Sequence, residues 1–276
     1  MDHSNSQPTG PERFRILDPL RSHRSVRRFT GEAVTDEELE AILTTAQRSS
    51  TSSNLQSSSV IVVRDQKKKD ALAELCGRQR QISDCSVFLA HCADLNRAKR
   101  LCEAAGYVFD SQCMEYFLLA VIDATIFAQT ALSAAEAIGL GGCMIGGARN
   151  NPKEIGELLE LPPLVFVVFG MTLGRPLWEK VPPHRPRLPL AAMVHRERYD
   201  DSGWPALHAE YDLAMRDTGI YDKRRIDLTG RVPGWSENTP EGAYGWIEHS
   251  ARRWADPAAR RVTIRSFLDS QGFGFK

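Results

Sequence analysis

The sequence predicts an α/β or α+β fold, and three observations carry that expectation. Three runs rich in β-branched and aromatic residues, "SVIVVRD" (59–65), "SVFLAHCAD" (86–94) and "VFVVFGMTLG" (165–174), read as buried strands. Each lies between helical patterns, as expected for layered helix-and-sheet classes. The segment 113–138 is apolar on nearly every side, which reads as a helix enclosed by protein, at a subunit interface in a chain of this size.

The other elements follow in chain order. Residues 1–12 are polar and read as disordered, and 13–22 as a short amphipathic helix. "TDEELEAILTTAQRS" carries a capping box, with Thr35 as the cap and Glu38 three residues on. Leu39, Ile42, Leu43 and Ala46 then share a face, so a helix is expected over about 36–47. "KKKDALAELCG" reads as a helix ending at Gly77. Asn151 and Pro152 begin another, which Leu161-Pro162 ends. Beyond Gly174 the chain turns proline-rich and irregular, helical again over about 204–217, irregular over 218–245, and helical at its end, with Val262, Ile264, Phe267 and Leu268 as apolar positions.

Composition narrows the function. The chain has 276 residues, 42% hydrophobic and 25% charged, as expected of a soluble globular protein. Lys+Arg and Asp+Glu both number 35, so the whole molecule makes no electrostatic case for nucleic acid or an anionic membrane. The polar N-terminus does not read as a signal peptide. Glu115, Asp123, Gln129 and Glu136 interrupt the apolar segment, which argues against a membrane span. Six cysteines without metal-site spacing read as reduced, buried thiols in a cytoplasmic protein.

No P-loop, HExxH, GxSxG or EF-hand loop is present. "GLGGCMIGG" (139–147) has Met144 where a dinucleotide fingerprint needs glycine, and it follows a helix. Five patches remain, each at the end of an expected element: "HRSVR" (23–27), "SSTSSNLQSSS" (49–59), "GRQRQ" (77–81), "GGCMIGGARNN" (141–151) and "HRPRLP" (184–189). Taken singly they have bland readings: a solvated turn, a loop with helix-capping serines, tight glycine turns, an extended linker. Taken together they suit one ligand. Planar guanidinium groups on short loops match a phosphate dianion. Hydroxyl and amide side chains supply neutral donors and acceptors, and paired glycines let the backbone approach a flat ring. That combination fits flavin mononucleotide better than ATP, which brings a metal-binding carboxylate set.

The order of "HRSVRRFTGEAV", "SSTSSNLQSSSVIVV", "GRQRQISDCSVFLAHCADLNR", "GLGGCMIGGARNNP", "LPPLVFVVFGMTLGRP" and "RPRLPLAAMVHRERY" resembles the nitroreductase superfamily, in particular its NADPH-dependent oxygen-insensitive nitroreductases and NADPH–flavin oxidoreductases. The resemblance implies an α+β fold, with a central mixed, mostly antiparallel sheet flanked by helices, in an intertwined homodimer that binds FMN at each subunit interface. It implies one domain over 13–276, with 175–276 as an excursion onto the partner. By the same resemblance His23, Arg24, Ser25 and Arg27 hold the FMN phosphate and pyrimidine edge, completed by Arg185 and Arg187. Thr51, Ser52, Ser53, Leu55 and Gln56 line the ring pocket from the second subunit. Gln79 bonds the ring or ribityl, and Ile145, Gly146 and Gly147 bring backbone N–H groups to the N5 edge. Arg149 faces the open side, and Arg224 and Arg225 read the 2′-phosphate of NADPH, with NADH as a possible substitute. Hydride passes from NADPH to flavin, then two electrons to a nitroaromatic, quinone or free flavin, by ping-pong alternation; no catalytic side chain and no metal are required. Two alternatives stand beside this: a specialised relative such as a reductive dehalogenase, enone reductase or flavin-fragmenting enzyme, and a non-catalytic flavin-binding sensor or anion module using Arg252, Arg253, Arg260 and Arg261.

Overall fold

The computed structural model describes residues 14, 17–222, 224, 244–255 and 261–275. The expected disorder of 1–12, most of the irregular stretch 218–245, and the roles given to Arg225 and Arg260 lie outside these residues. In chain order the elements are α1 (Asp18–Arg21), α2 (Asp36–Ala46), β1 (Ser58–Val63), α3 (Gln66–Leu75), α4 (Arg80–Asp84), β2 (Val87–Asp94), α5 (Asn96–Ala104), α6 (Met114–Ala137), β3 (Gly141–Ile145), α7 (Pro152–Leu158), β4 (Val165–Gly174), α8 (Trp204–Asp217), α9 (Trp246–Ala255) and α10 (Thr263–Ser270). They fall into two units, one of residues 1–182 and 262–276, the other of residues 183–261.

In the first unit the four strands form one sheet in the order β1-β2-β4-β3, with every neighbouring pair antiparallel. β2 is buried along its whole length because it is central and covered on both faces. Phe88, Ala90 and Cys92 pack on one side with Leu72 of α3, Ile82 of α4 and Ile155 of α7. Val87 and Leu89 pack on the other with Ile42 of α2 and Leu132 of α6. That is the two-residue alternation of a strand applied to two helical layers. β4 changes faces partway along. Val165 and Val167 join the first layer, but Met171 and Leu173 join the second. A bulge explains the switch: His91 pairs with Phe169 and Cys92 with Val167, which leaves Val168 unopposed.

Local signals produced several of these elements. Thr35 Oγ1 accepts from the Glu38 N–H while the Glu38 carboxylate accepts from the Thr35 N–H, the full capping box. Asp65 caps α3, and Gly77 follows it at φ +91°. Four expectations need correction. The glycine-rich segment read as turns is strand β3, because its neighbours on β4 and on residues 23–30 give it edges to pair with. β1 is an edge strand with Val62 exposed, not a buried one. α7 ends at Leu158, three residues before Leu161. Helices α4, α5 and α9 were not expected at all.

α6 is long and apolar enough to cross a membrane by length and composition. It packs by one side on α2 and the sheet. Leu118, Ile122 and Ile126 remain exposed along another side. Residues 262–275 return to the first unit, where Phe267, Leu268 and Phe273 bury against Phe166 and Leu164. The second unit comprises residues 183–261. There α8 and α9 enclose Tyr211, Met215 and Tyr221, and the Asp212 carboxylate accepts from the Ile247 N–H at 2.8 Å in the first turn of α9.

Candidate functional site

The β3 edge collects most of the expected site residues of the first unit. Residues 23–30 cross its start: the Val26 N–H donates to Gly142 O at 2.8 Å, and beyond it Arg28, Phe29 and Thr30 pair with Leu177, Pro176 and Arg175 past the end of β4. The approach is close. A Cβ on Gly141 would lie 2.6 Å from Val26 Cγ2 and 2.9 Å from Pro176 Cγ, so the segment can lie there only beside glycine. Val26 is buried, His23, Arg24 and Ser25 are part-buried, and Arg27 is exposed. His23 Nδ1 sits 2.6 Å from Glu136 Oε1 at the end of α6. Burial raises the Glu136 carboxyl, and the bond to His23 works against that rise. Arg27 is exposed, with Nη1 donating to Ser25 O at 3.3 Å. Burial also raises the Cys143 thiol, which Arg27 and Ser25 pull back.

Arg24 is the residue that points to a ligand. Its guanidinium lies 5.1 Å from the centre of the Trp178 ring. Its Nε is buried and has no hydrogen-bond partner among the described residues. Orphaned donors of this kind are uncommon and call for an explanation. A phosphate oxygen beside Arg24, Arg27 and Ser25 supplies one, so the donors present fit the phosphate of FMN.

At the far end of β3 the chain turns sharply through Gly146–Arg149. A Cβ on Gly147 would lie 2.3 Å from both Cys76 O and Gln79 Nε2. Only glycine fits, and the contact brings Gln79 to the Gly146-Gly147 backbone. Gln79 is fixed further by donating to Cys76 O at 2.8 Å and accepting from Gln81 at 2.7 Å. Ile145 points its side chain into the core. Arg149 Nη1 donates to Val168 O, the carbonyl at the β4 bulge. Arg149 therefore ties the glycine turn to the sheet.

Thr51, Ser52, Ser53, Leu55 and Gln56 are elsewhere. They precede β1, at the opposite edge of the sheet, three strand spacings or about 14 Å from β3. All but Thr51 are exposed. Ser53, Asn54 and Gln56 have φ of 47°, 58° and 52°, a left-handed conformation that costs a non-glycine residue on the order of 1–2 kcal/mol. Asp123 and Arg97 hold this loop. Sequence reasoning assigned neither of them a role at the site, nor Trp178 or Glu136, although Asp123 and Glu136 stood out as interruptions of the apolar segment. One signal was present for Asp123: a carboxylate inside an apolar helix is expensive unless it is used.

Arg185 and Arg187 belong to the second unit. So does Arg224, whose guanidinium lies 5.9 Å and 5.7 Å from the rings of Tyr221 and Tyr244, with Nη1 2.8 Å from His249 Nδ1. No group of His, Cys, Asp and Glu suited to a metal occurs among the described residues. All six cysteines are free, and burial pushes Cys76 and Cys92 up to about 12 and Cys85 to about 11, which leaves them unreactive thiols.

Two family models match the chain: the nitroreductase family over residues 20–175, and the nitroreductase family C-terminal domain over 185–276. The boundary between them falls where the two structural units divide. An oxygen-insensitive NADPH nitroreductase of Salmonella typhimurium is 42% identical over 66% of this chain and 74% of its own length. An FMN reductase [NAD(P)H] of Bacillus subtilis is 40% identical over 72% of this chain and 81% of its own. The solved structure of B. megaterium NfrA2 superposes with a TM-score of 0.82 at 34% identity, covering 95% of this chain and 98% of that one.

Proposed function

This chain belongs to the nitroreductase family, and from that premise we propose that it is a soluble, cytoplasmic, homodimeric FMN-dependent NADPH oxidoreductase that reduces nitroaromatics, quinones or free flavin. The observation that carries the dimeric site is the separation of its two halves. The phosphate-binding donors and the glycine turn lie at the β3 edge, and the hydroxyl-rich loop lies at the β1 edge of the same sheet. A second copy supplies the missing half to each site. The exposed Leu118, Ile122 and Ile126 of α6 are the apolar surface it covers, and the C-terminal part of the chain, 175–276, is the excursion onto it.

His23, Arg24, Ser25 and Arg27 bind the phosphate and pyrimidine edge, and Arg185 and Arg187 complete the clamp. Gln79 and the backbone of Ile145, Gly146 and Gly147 hold the ring edge, and Thr51–Gln56 of the partner subunit close the pocket. Bound FMN supplies the two-electron carrier that accepts hydride from NADPH and passes it on. The cationic groups stabilise the negative charge that reduction adds. Arg224 and Arg225 bind the 2′-phosphate, so NADPH is preferred over NADH. Donor and acceptor use one open face in turn, which gives ping-pong kinetics. An absorbance spectrum of the purified protein, followed by anaerobic titration with NADPH and NADH, tests the reading. Flavin bands that NADPH bleaches are expected; a colourless protein that takes up no added FMN overturns it.

A further inference from the structure

Asp123 lies halfway along α6 and is 2% exposed, between the buried Ala120 and Ala124. A buried carboxylate is costly unless its lone pairs are used. Here the two oxygens go to opposite ends of one loop. Oδ1 accepts from the Ser52 N–H at 3.2 Å, and Oδ2 accepts from the Ser57 N–H at 2.9 Å. Between those two bonds sit all three left-handed residues of the loop, Ser53, Asn54 and Gln56. Such residues persist only where their surroundings impose the conformation. Arg97 adds a second hold. Its Nη1 donates to Gln56 O and, at 3.2 Å, to Ser58 O, while Nη2 donates to Ser59 Oγ at 2.9 Å. Among the described residues the loop's own backbone adds one bond, from the Leu55 N–H to Ser52 O at 2.9 Å.

We propose that Asp123 is a positioning residue that acts across the subunit boundary. By fixing both ends of the strained loop in its own chain, it presets the Thr51–Gln56 groups for the flavin bound at the partner's β3 edge. Asp123 itself touches neither flavin nor substrate, and Arg97 assists it from the exposed side. The proposal rests on the reading that the loop completes the partner's pocket. It explains why an apolar helix keeps a buried charge: the carboxylate selects one loop conformation before the cofactor arrives, which lowers the ordering cost of binding.

The test measures FMN dissociation constants by fluorescence on full-length dimers. Asp123→Asn keeps the shape but leaves one N–H without an acceptor, and the dissociation constant is expected to rise about 10- to 100-fold, the loss of one hydrogen bond to a charged group. Should that variant fail to fold, Arg97→Gln reads the same loop from a surface side chain, with a rise of about tenfold expected. Wild-type affinity in the folded variant overturns the proposal. A mixed dimer then separates cross-chain positioning from a merely structural role. One chain carries Asp123→Asn and the other Arg24→Ala with Arg27→Ala. Tight binding of one FMN per mixed dimer is expected, because an intact clamp in the first chain meets an intact loop in the second. Recovery of no tight site overturns cross-chain action. Wild-type protein that binds no FMN overturns instead the flavin reading beneath it.

Discussion

The two edges of the sheet are built by opposite means. At the β3 edge the chain covers itself. Residues 23–30 lie against Gly141 and Gly142, Gly147 packs on Cys76 and Gln79, and the fit is so close that side chains are excluded. At the β1 edge the chain covers little. A loop with three left-handed residues stands exposed, held from below by one carboxylate and from the side by one guanidinium. The first edge leaves no room for a side chain at Gly141, Gly142 or Gly147. The second is rigid only as long as two polar side chains grip it.

The largest effect is expected where the β3 edge is tightest. Gly147→Ala drives a Cβ against a backbone carbonyl that cannot yield, and should cost about 3 kcal/mol, the upper part of the range for overpacking. Denaturant melts of the apoprotein measure it, and an unchanged midpoint would mean that this edge is looser than its contacts.

Acid reaches both edges through the strand between them. His91 of β2 is 0% exposed, and neither ring nitrogen has a hydrogen-bond partner among the described residues. Its ring packs against Phe127 and Phe169. Burial alone lowers it from 6.5 to about 4. The unfolded chain therefore binds a proton that the folded one refuses. This term is neutral above about pH 6.5, destabilises increasingly as the pH falls toward 4, and levels off below that. Its full size is up to about 3 kcal/mol, with the whole sheet affected. Melts from pH 7.5 to 4 measure the loss, and His91→Phe should flatten the slope.

The smallest effect belongs to one side chain at the ligand. Arg24→Ala removes a donor whose Nε has no partner among the described residues, so the fold should melt as before. FMN affinity should fall about 10- to 100-fold, as for one charge-assisted contact. A variant that loses stability but keeps FMN would reassign Arg24 to packing on Trp178.

Legibility in the sequence followed the range of the forces involved. Thr35 and Glu38 announced α2 because both halves of a capping box lie within four residues. The runs of β1, β2 and β4 announced strands because alternation and β-branching are local. β3 was missed because a strand of Gly141, Gly142, Cys143, Met144 and Ile145 has little propensity of its own; Val26 and β4 give it its edges. The patches at 23–27, 77–81 and 141–151 were visible as donors and glycines, and the fold gathers them along β3. Asp123 was visible only as an interruption of an apolar helix. Its two loop bonds span 71 and 66 residues of chain.

By itself, then, the sequence determined α2, α3, α6, α8 and the strands β1, β2 and β4, and marked the short stretches dense in donors and glycines, since capping, alternation and side-chain type act between near neighbours. Only the tertiary structure decided that β1 and β3 are opposite edges, that the β4 bulge turns its faces over and leaves a carbonyl for Arg149, and that Asp123 reaches under the loop before β1. Those outcomes depend on strand order and on packing between residues far apart in the chain, and no local preference encodes them.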